Sequence, residues 1–260
     1  MAYTNEFQKY YDHIITGGRS SKPRKLATKA LYNASFEYLP GILYSRPKCN
    51  LAIGFVELLQ FIAGIFDPKT IAAVAPKAQL DLFTSQSAYG PRVGEQLANV
   101  IDELNSDPDS RRAVIMIAHH TDNLANRPCT LSMQFQLRPS RTRIPRELIT
   151  TIIMRSSDAV WGLPYDIIQF AGISMVVARC VNAFASYSRI LIGNAHIYDT
   201  TKLSRGTRYF RYGRFELGLV GHTLETWKNW AYSWIAYINR DPSVVYKPFH
   251  IRKFDNDNQY

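Results

Sequence analysis

With only three cysteines, Cys49, Cys129 and Cys180, scattered through 260 residues, the sequence holds neither a disulfide framework nor a cysteine-based zinc site. An uninterrupted basic run is also missing, which removes the simplest kind of nucleic-acid arm. The nearest approach, Arg19, Lys22, Arg24 and Lys25, is spread along a Gly/Ser-rich loop. Met1 to Phe7 lack the apolar core of a signal peptide. The longest apolar stretches are broken by groups such as Gln60 and Arg179, so no segment reads as a membrane span. A reducing cytoplasm is the expected setting. His119-His120 have no third ligand at suitable spacing, so no metal is expected. No tryptophan occurs between residues 1 and 160.

What is present is ordinary for a globular protein: 46% hydrophobic and 20% charged residues, with 16 tyrosines where a disordered chain would carry far fewer aromatics. The formal charge of +10 directs attention to anionic partners, namely nucleic acid, a membrane surface or phosphorylated small molecules.

Phe7, Tyr10, Tyr11 and Ile14 recur at helical spacing behind a Thr4 cap, and Gly17-Gly18 ends the run. Residues 26–39 alternate and read as strand. Asn50 caps an apolar helix through Leu58, Leu59 and Ile62, and Leu97, Val100, Ile101 and Leu104 share one face of a helix over residues 95–104. Short β-rich runs follow at 113–118, 131–138, 148–155 and 188–193. A helix is expected over 164–183, started by Pro164, with another near 223–238 and a final strand over 243–252. There is no repeat and no linker. The expectation is α+β, a single domain over residues 1–260 with helices packed on a mixed or antiparallel sheet.

Four segments carry chemistry. Cys129 follows Arg127-Pro128 and precedes a strand, an edge position that can expose a thiol to a cleft, although an isolated cysteine is more often a small buried filler. The turn Asp107-Pro108-Asp109-Ser110-Arg111-Arg112 places two guanidinium groups before a strand. Arg155-Ser156-Ser157-Asp158, then Gly162-Leu163-Pro164-Tyr165-Asp166, puts charge and hydroxyls at a strand end and a carboxylate on the next helix's first turn. His196 and Tyr198 alternate, so both face one side of a strand.

In this order and at this spacing, the segments closely resemble the thymidylate synthase family: a D-P-x-S-R-R turn, a proline-cysteine junction, R-S-x-D followed by G-x-P-[FY]-[ND], and H-x-Y. A weaker similarity runs from about residue 5 to residue 200. The resemblance implies a sheet-mediated homodimer that uses 5,10-methylenetetrahydrofolate and a pyrimidine nucleoside monophosphate. Cys129 would attack carbon 6 of the pyrimidine and make carbon 5 nucleophilic. Arg24, Arg155 and Ser156 would hold the phosphate through forked, charge-assisted bonds, with Arg155 also lowering the thiol pKa. Arg111 and Arg112 would reach the partner's phosphate. Glu57 would handle protons, His196 and Tyr198 would hold the sugar hydroxyl, and Tyr89, Gln134 and Asp158 match further active-site positions.

Asp166 stands where enzymes acting on uracil usually carry asparagine. A carboxyl can accept from the amino group of cytosine and share a proton with ring nitrogen 3, and mismatched donors in a closed pocket cost about 1–3 kcal/mol each. Thr130 after the cysteine resembles phage deoxycytidylate hydroxymethylases rather than synthases, which usually have histidine there. The expected activity is therefore hydroxymethylation of dCMP, or CMP, in the cytoplasm, the host's if the chain is phage-encoded. Reductive methylation of dUMP or dCMP is the alternative, and a nucleic-acid-binding protein on the same scaffold is a third reading. Departures from the pattern are the missing early tryptophan, Asn194 in place of an aspartate, and the polar tail Asp255 to Tyr260.

Overall fold

The computed structural model describes residues 6–45, 49–77, 80, 83–85, 88–139, 146–201, 211–214, 217 and 220–240. The Thr4 cap, the strand over 243–252 and the tail lie outside these residues.

Alternation along the strands builds the sheet. Strands β1 (Arg19–Ser21), β2 (Thr28–Tyr38), β4 (Val114–Met116), β5 (Thr130–Pro139), β6 (Arg146–Met154), β7 (Ser157–Asp158) and β8 (Phe184–Tyr198) form a seven-stranded sheet in the order β1-β2-β8-β6-β5-β4, with β7 also on β8. The pairings of β6 and β7 with β8 are parallel; the others are antiparallel. A second, two-stranded sheet pairs β3 (Ile42–Ser45) with β9 (Arg211–Arg214). The fold is α+β with a mixed sheet.

One row across the large sheet, Phe36, Ile190, Ile152, Met133 and Ile115, is almost wholly buried and defines the helix-covered face. The neighbouring residues face the other way. Leu191 and Ile153 pair there with 39% and 41% of their surface exposed. Beside them run Glu37, Arg189, Thr151 and Gln134, with an Arg189–Glu37 ion pair. The sheet therefore has one core face and one open face.

Helices α1 (Glu6–Gly17), α5 (Leu97–Ser106) and α6 (Leu163–Cys180) pack on the core face; α2 (Leu51–Ala63) packs on α6, with α3 (Pro68–Ala72), α4 (Tyr89–Gly94) and α7 (Leu224–Arg240) against it. Helix α2 starts where expected: the Asn50 side chain accepts from the Ala52 N–H at 3.2 Å, and Gly64 ends it in the left-handed region. The helix expected over 95–104 is α5, displaced by two residues, and the short α4 before it was not expected.

Contact between α2 and α6 sets the site. A Cβ on Gly172 would lie 2.2 Å from Leu58 Cδ2, so only glycine lets the helices approach this closely. That approach faces Glu57 of α2 toward Gln169 of α6, one turn after Asp166.

Candidate functional site

A cavity of about 1480 Å³ opens between the C-terminal ends of β6 and β8, helices α2, α4 and α6, and the loop before β5. Cys129 lies on its wall, immediately before β5, as the loop-to-strand reading expected. Its position is held from two sides. The Tyr89 hydroxyl accepts from the backbone N–H groups of Cys129 and Thr130, both at 3.1 Å. On the other side, Arg155 N donates to Cys129 O at 2.8 Å, while its Nε and Nη2 donate to Pro128 O at 3.0 Å and Arg127 O at 2.7 Å. Arg155 thus spends two of its five side-chain N–H groups fastening the cysteine loop, which leaves three for a ligand.

The strand break at residues 155–156 explains how Arg155 and Ser156 reach the cavity. Strands β6 and β7 keep the same register on β8 across it, and Asn194 N donates to Arg155 O at 3.1 Å. A Cβ on Gly193 would meet that carbonyl at 3.0 Å, so a side chain there would push Arg155 away. On β8, Asn194, His196 and Tyr198 share the core face and line the cavity; the His196 and Tyr198 rings meet edge to face at 5.0 Å. The Ser156 hydroxyl sits 3.4 Å from His196 Nδ1, a long contact. Arg24 lines the mouth from a turn in which it and Lys25 both have positive φ, 49° and 67°, an uncommon backbone for non-glycine residues.

Two carboxyls face the thiol's cavity. Burial pushes Asp166 up to about 7, the Asp158 charge adding to the rise and the nearby Ser157 hydroxyl opposing it. Burial likewise pushes Glu57 up to about 8; Asp166 adds to the rise, and the 2.7 Å bond from Gln169 Nε2 opposes it. Tyr89 is driven well above the ordinary phenol range by burial, then by the Asp166 and Cys129 charges, so its hydroxyl stays neutral. Asp158 borders the cavity, but its Oδ1 accepts from the N–H groups of Val160 and Trp161 at 2.7 and 3.1 Å, a turn-forming task.

The thiol itself corrects one expectation. Arg155 does pull its pKa down, as does Arg24, but burial outweighs both and Asp166 pushes the same way as burial, so Cys129 ends above the ordinary thiol range. Three further residues are not brought to the cavity within one chain. Gln134 points to the open face of the sheet and donates to Arg111 O at 3.1 Å. Arg111 is exposed, and exposed Arg112 pairs with Glu103 at 2.8 Å. Thr130 is fully buried and does not line the cavity.

Other lining residues were missed. Trp161, 42% exposed, stands on the wall, so the indole absent from the first 160 residues is supplied by the segment that leads into α6. Gln169 gave no signal beyond its place one turn after Asp166. Arg127 was read only as a neighbour of the cysteine. Among the described residues, no group of three His, Cys, Asp or Glu could hold a metal ion, and no helix is long and apolar enough to cross a membrane.

The family model described as thymidylate synthase matches residues 78–208, half of the chain. Thymidylate synthases from three strains of Coxiella burnetii (Dugway 5J108-111, RSA 331 / Henzerling II and RSA 493 / Nine Mile phase I) are each 28% identical over 157 residues. Those alignments cover 60% of this chain and 51% of each relative, so the match spans about half the length of these relatives.

Proposed function

The chain belongs to the thymidylate synthase family, and from that premise we propose that it transfers a one-carbon unit to carbon 5 of a cytidine monophosphate, leaving a hydroxymethyl group. The observation that carries this reading is a carboxyl, Asp166, on the wall of the same cavity as the Cys129 thiol. With its pKa near 7, Asp166 is a proton donor and an acceptor in comparable amounts at neutral pH. One oxygen accepts from the amino group at position 4 while the shared proton bridges to ring nitrogen 3. Uracil presents the opposite pattern at both positions.

Cys129 adds to carbon 6 as a thiolate, and the ring's negative charge, spread through nitrogen 3, is met by the Asp166 proton. Arg24, Arg155 and Ser156 anchor the phosphate, and His196 and Tyr198 hold the sugar. Glu57, buried and protonated to a large degree at neutral pH, moves protons at the exocyclic carbon through its free oxygen while Gln169 fixes the other. Methylenetetrahydrofolate supplies the carbon. The cavity exceeds the roughly 300–1,000 Å³ of a single-ligand pocket, and its flank of Phe66, Ile71, Phe83 and Trp161 suits a flat co-substrate beside the nucleotide. Loss of the carbon 5 proton and departure of tetrahydrofolate would leave an exocyclic methylene on carbon 5, water would add to it, and elimination of the Cys129 thiolate from carbon 6 would release the product.

A homodimer completes the reading. Two open sheet faces laid together would cover Leu191 and Ile153, and Arg111 and Arg112 of each copy would serve the other's phosphate. Mixing Arg111→Ala/Arg112→Ala chains with Cys129→Ser chains should restore activity in heterodimers; no restoration would reject the shared site.

A second reading, reductive methylation of dUMP, is favoured by the names of the relatives. Incubation of the chain and methylenetetrahydrofolate with dCMP, CMP and dUMP, read by product mass, separates the two. A product heavier by one hydroxymethyl group on cytosine supports the proposal; a methylated product, or preferred turnover of dUMP, rejects it.

A further inference from the structure

We infer that Arg127, two residues before the nucleophile, binds a phosphate oxygen of the nucleotide as an additional cation of the cavity; this rests on the nucleotide reading above. Arg127 lines the cavity, yet its Nε is sealed from solvent and finds no acceptor among the described residues. Of its five N–H groups, one is engaged there, from Nη2 to Asp122 O at 3.2 Å. A buried donor without an acceptor is unfavourable, so the guanidinium gains by turning toward a ligand oxygen in the cavity it lines.

The acidic group nearest the arginine is already committed. Asp122 accepts a two-pronged grip from Arg92, at 2.7 and 2.8 Å, and a further bond from His119 N at 2.6 Å. Arg127 feels that carboxylate's charge but takes only its main-chain oxygen. The arginine's own backbone is rigid, because Arg155 Nη2 holds Arg127 O and Pro128 follows. Arg155 therefore joins Arg127 to the end of the cavity where Arg24 and Ser156 stand. A phosphate dianion brings three terminal oxygens to that end, each able to accept more than one bond, so Arg127 adds to the donors of Arg155, Arg24 and Ser156.

The test is calorimetric titration of the full chain and of its Arg127→Gln and Arg127→Lys variants with dCMP, deoxycytidine, inorganic phosphate and tetrahydrofolate. The glutamine variant should bind dCMP and phosphate about ten- to a hundredfold more weakly, the loss of a charge-assisted bond, with deoxycytidine unchanged. The lysine variant should lose a few-fold for dCMP, keeping the charge but not the fork. An equal loss for dCMP and deoxycytidine would mean that Arg127 merely holds the loop, and a loss confined to tetrahydrofolate would put the anion elsewhere; either overturns the inference. Should the glutamine variant not fold, an unchanged dCMP affinity in the lysine variant overturns it as well. Phosphate binding that depends on Arg127 in a chain that takes no dCMP would keep the anion site and sink the nucleotide reading instead.

Discussion

Replacing Asp166 with asparagine should make the protein more stable at alkaline pH and move its base preference from cytosine toward uracil. The folded-state pKa, about 7, lies above the ordinary 3.8. Between those values the folded chain holds a proton that the unfolded chain has released, so wild-type stability falls as pH rises through that window and levels off above 7. At ~1.4 kcal/mol per unit the whole effect is ~4 kcal/mol, of which ~3 kcal/mol falls between pH 5 and 8. Asp166 lines a large open cavity, and halving for solvent screening leaves ~1.5 kcal/mol. Unfolding entropy of ~2 cal/mol/K per residue converts this to ~3 °C for a chain of this length. Asparagine carries no charge at any pH, so thermal melts should show the variant gaining ~3 °C on wild type as pH goes from 5 to 8. In the same samples kcat/KM for dCMP should fall and that for dUMP rise. A melting gap that stays constant from pH 5 to 8 would mean Asp166 ionises as freely as a surface carboxyl, and the base-reading argument would lose its physical ground.

Tyr89→Phe removes the acceptor for two backbone N–H groups. It should cost about 2 kcal/mol, read as a melting drop of ~4 °C, and lower kcat more than it raises KM; an unchanged melt would deny that the phenol holds the nucleophile. Alkylation of Cys129 by iodoacetamide should show a midpoint above the roughly 8.5 of a free thiol, and Arg24→Gln should move it higher still; a midpoint below 8 would show that the cations win over burial. Trp161→Ala should weaken tetrahydrofolate binding several-fold while leaving dCMP affinity intact; equal losses for both ligands would place the indole at the nucleotide.

The elements legible in the sequence were those whose period is uninterrupted. The Asn50-capped helix and the long helix behind Pro164 fell within a few residues of their observed bounds, because their apolar faces repeat and their caps are explicit. The run at 188–193 proved to be the middle of β8, which continues through 194–198, where Asn194, His196 and Tyr198 line the cavity and alternate with buried Ala195 and Ile197. Helix α4 was missed because Tyr89-Gly90-Pro91 shows no apolar helical repeat, yet it opens the helix that presents the phenol to Cys129. Site residues on short motifs were legible one by one: Cys129, Arg155, Ser156, Asp166, His196 and Tyr198 all border one cavity. Gln134 was not, since strand parity across a bulge between Thr130 and Ser132 decides its face, and that bulge appears only once β5 is paired with β6.

The raised thiol pKa has a consequence for the order of events on the proposed reading. In the empty cavity Asp166, when ionised, adds to the pressure that keeps Cys129 protonated. A cytosine bridging Asp166 through a shared proton takes that negative charge out of the cavity, and with it one of the two forces holding the thiol neutral. Burial remains, and the phosphate takes up part of the Arg155 and Arg24 charge, so the change at the base is what favours the thiolate. With a nucleotide bound, the nucleophile is thus more acidic under cytosine than under uracil, which presents a proton rather than a lone pair at nitrogen 3 and gives no such relief. Asp166 links base recognition to activation of the attacking atom: a neutral variant at this position should lower the alkylation midpoint of Cys129 in the absence of any nucleotide, and abolish the difference between the midpoints measured with dCMP and with dUMP.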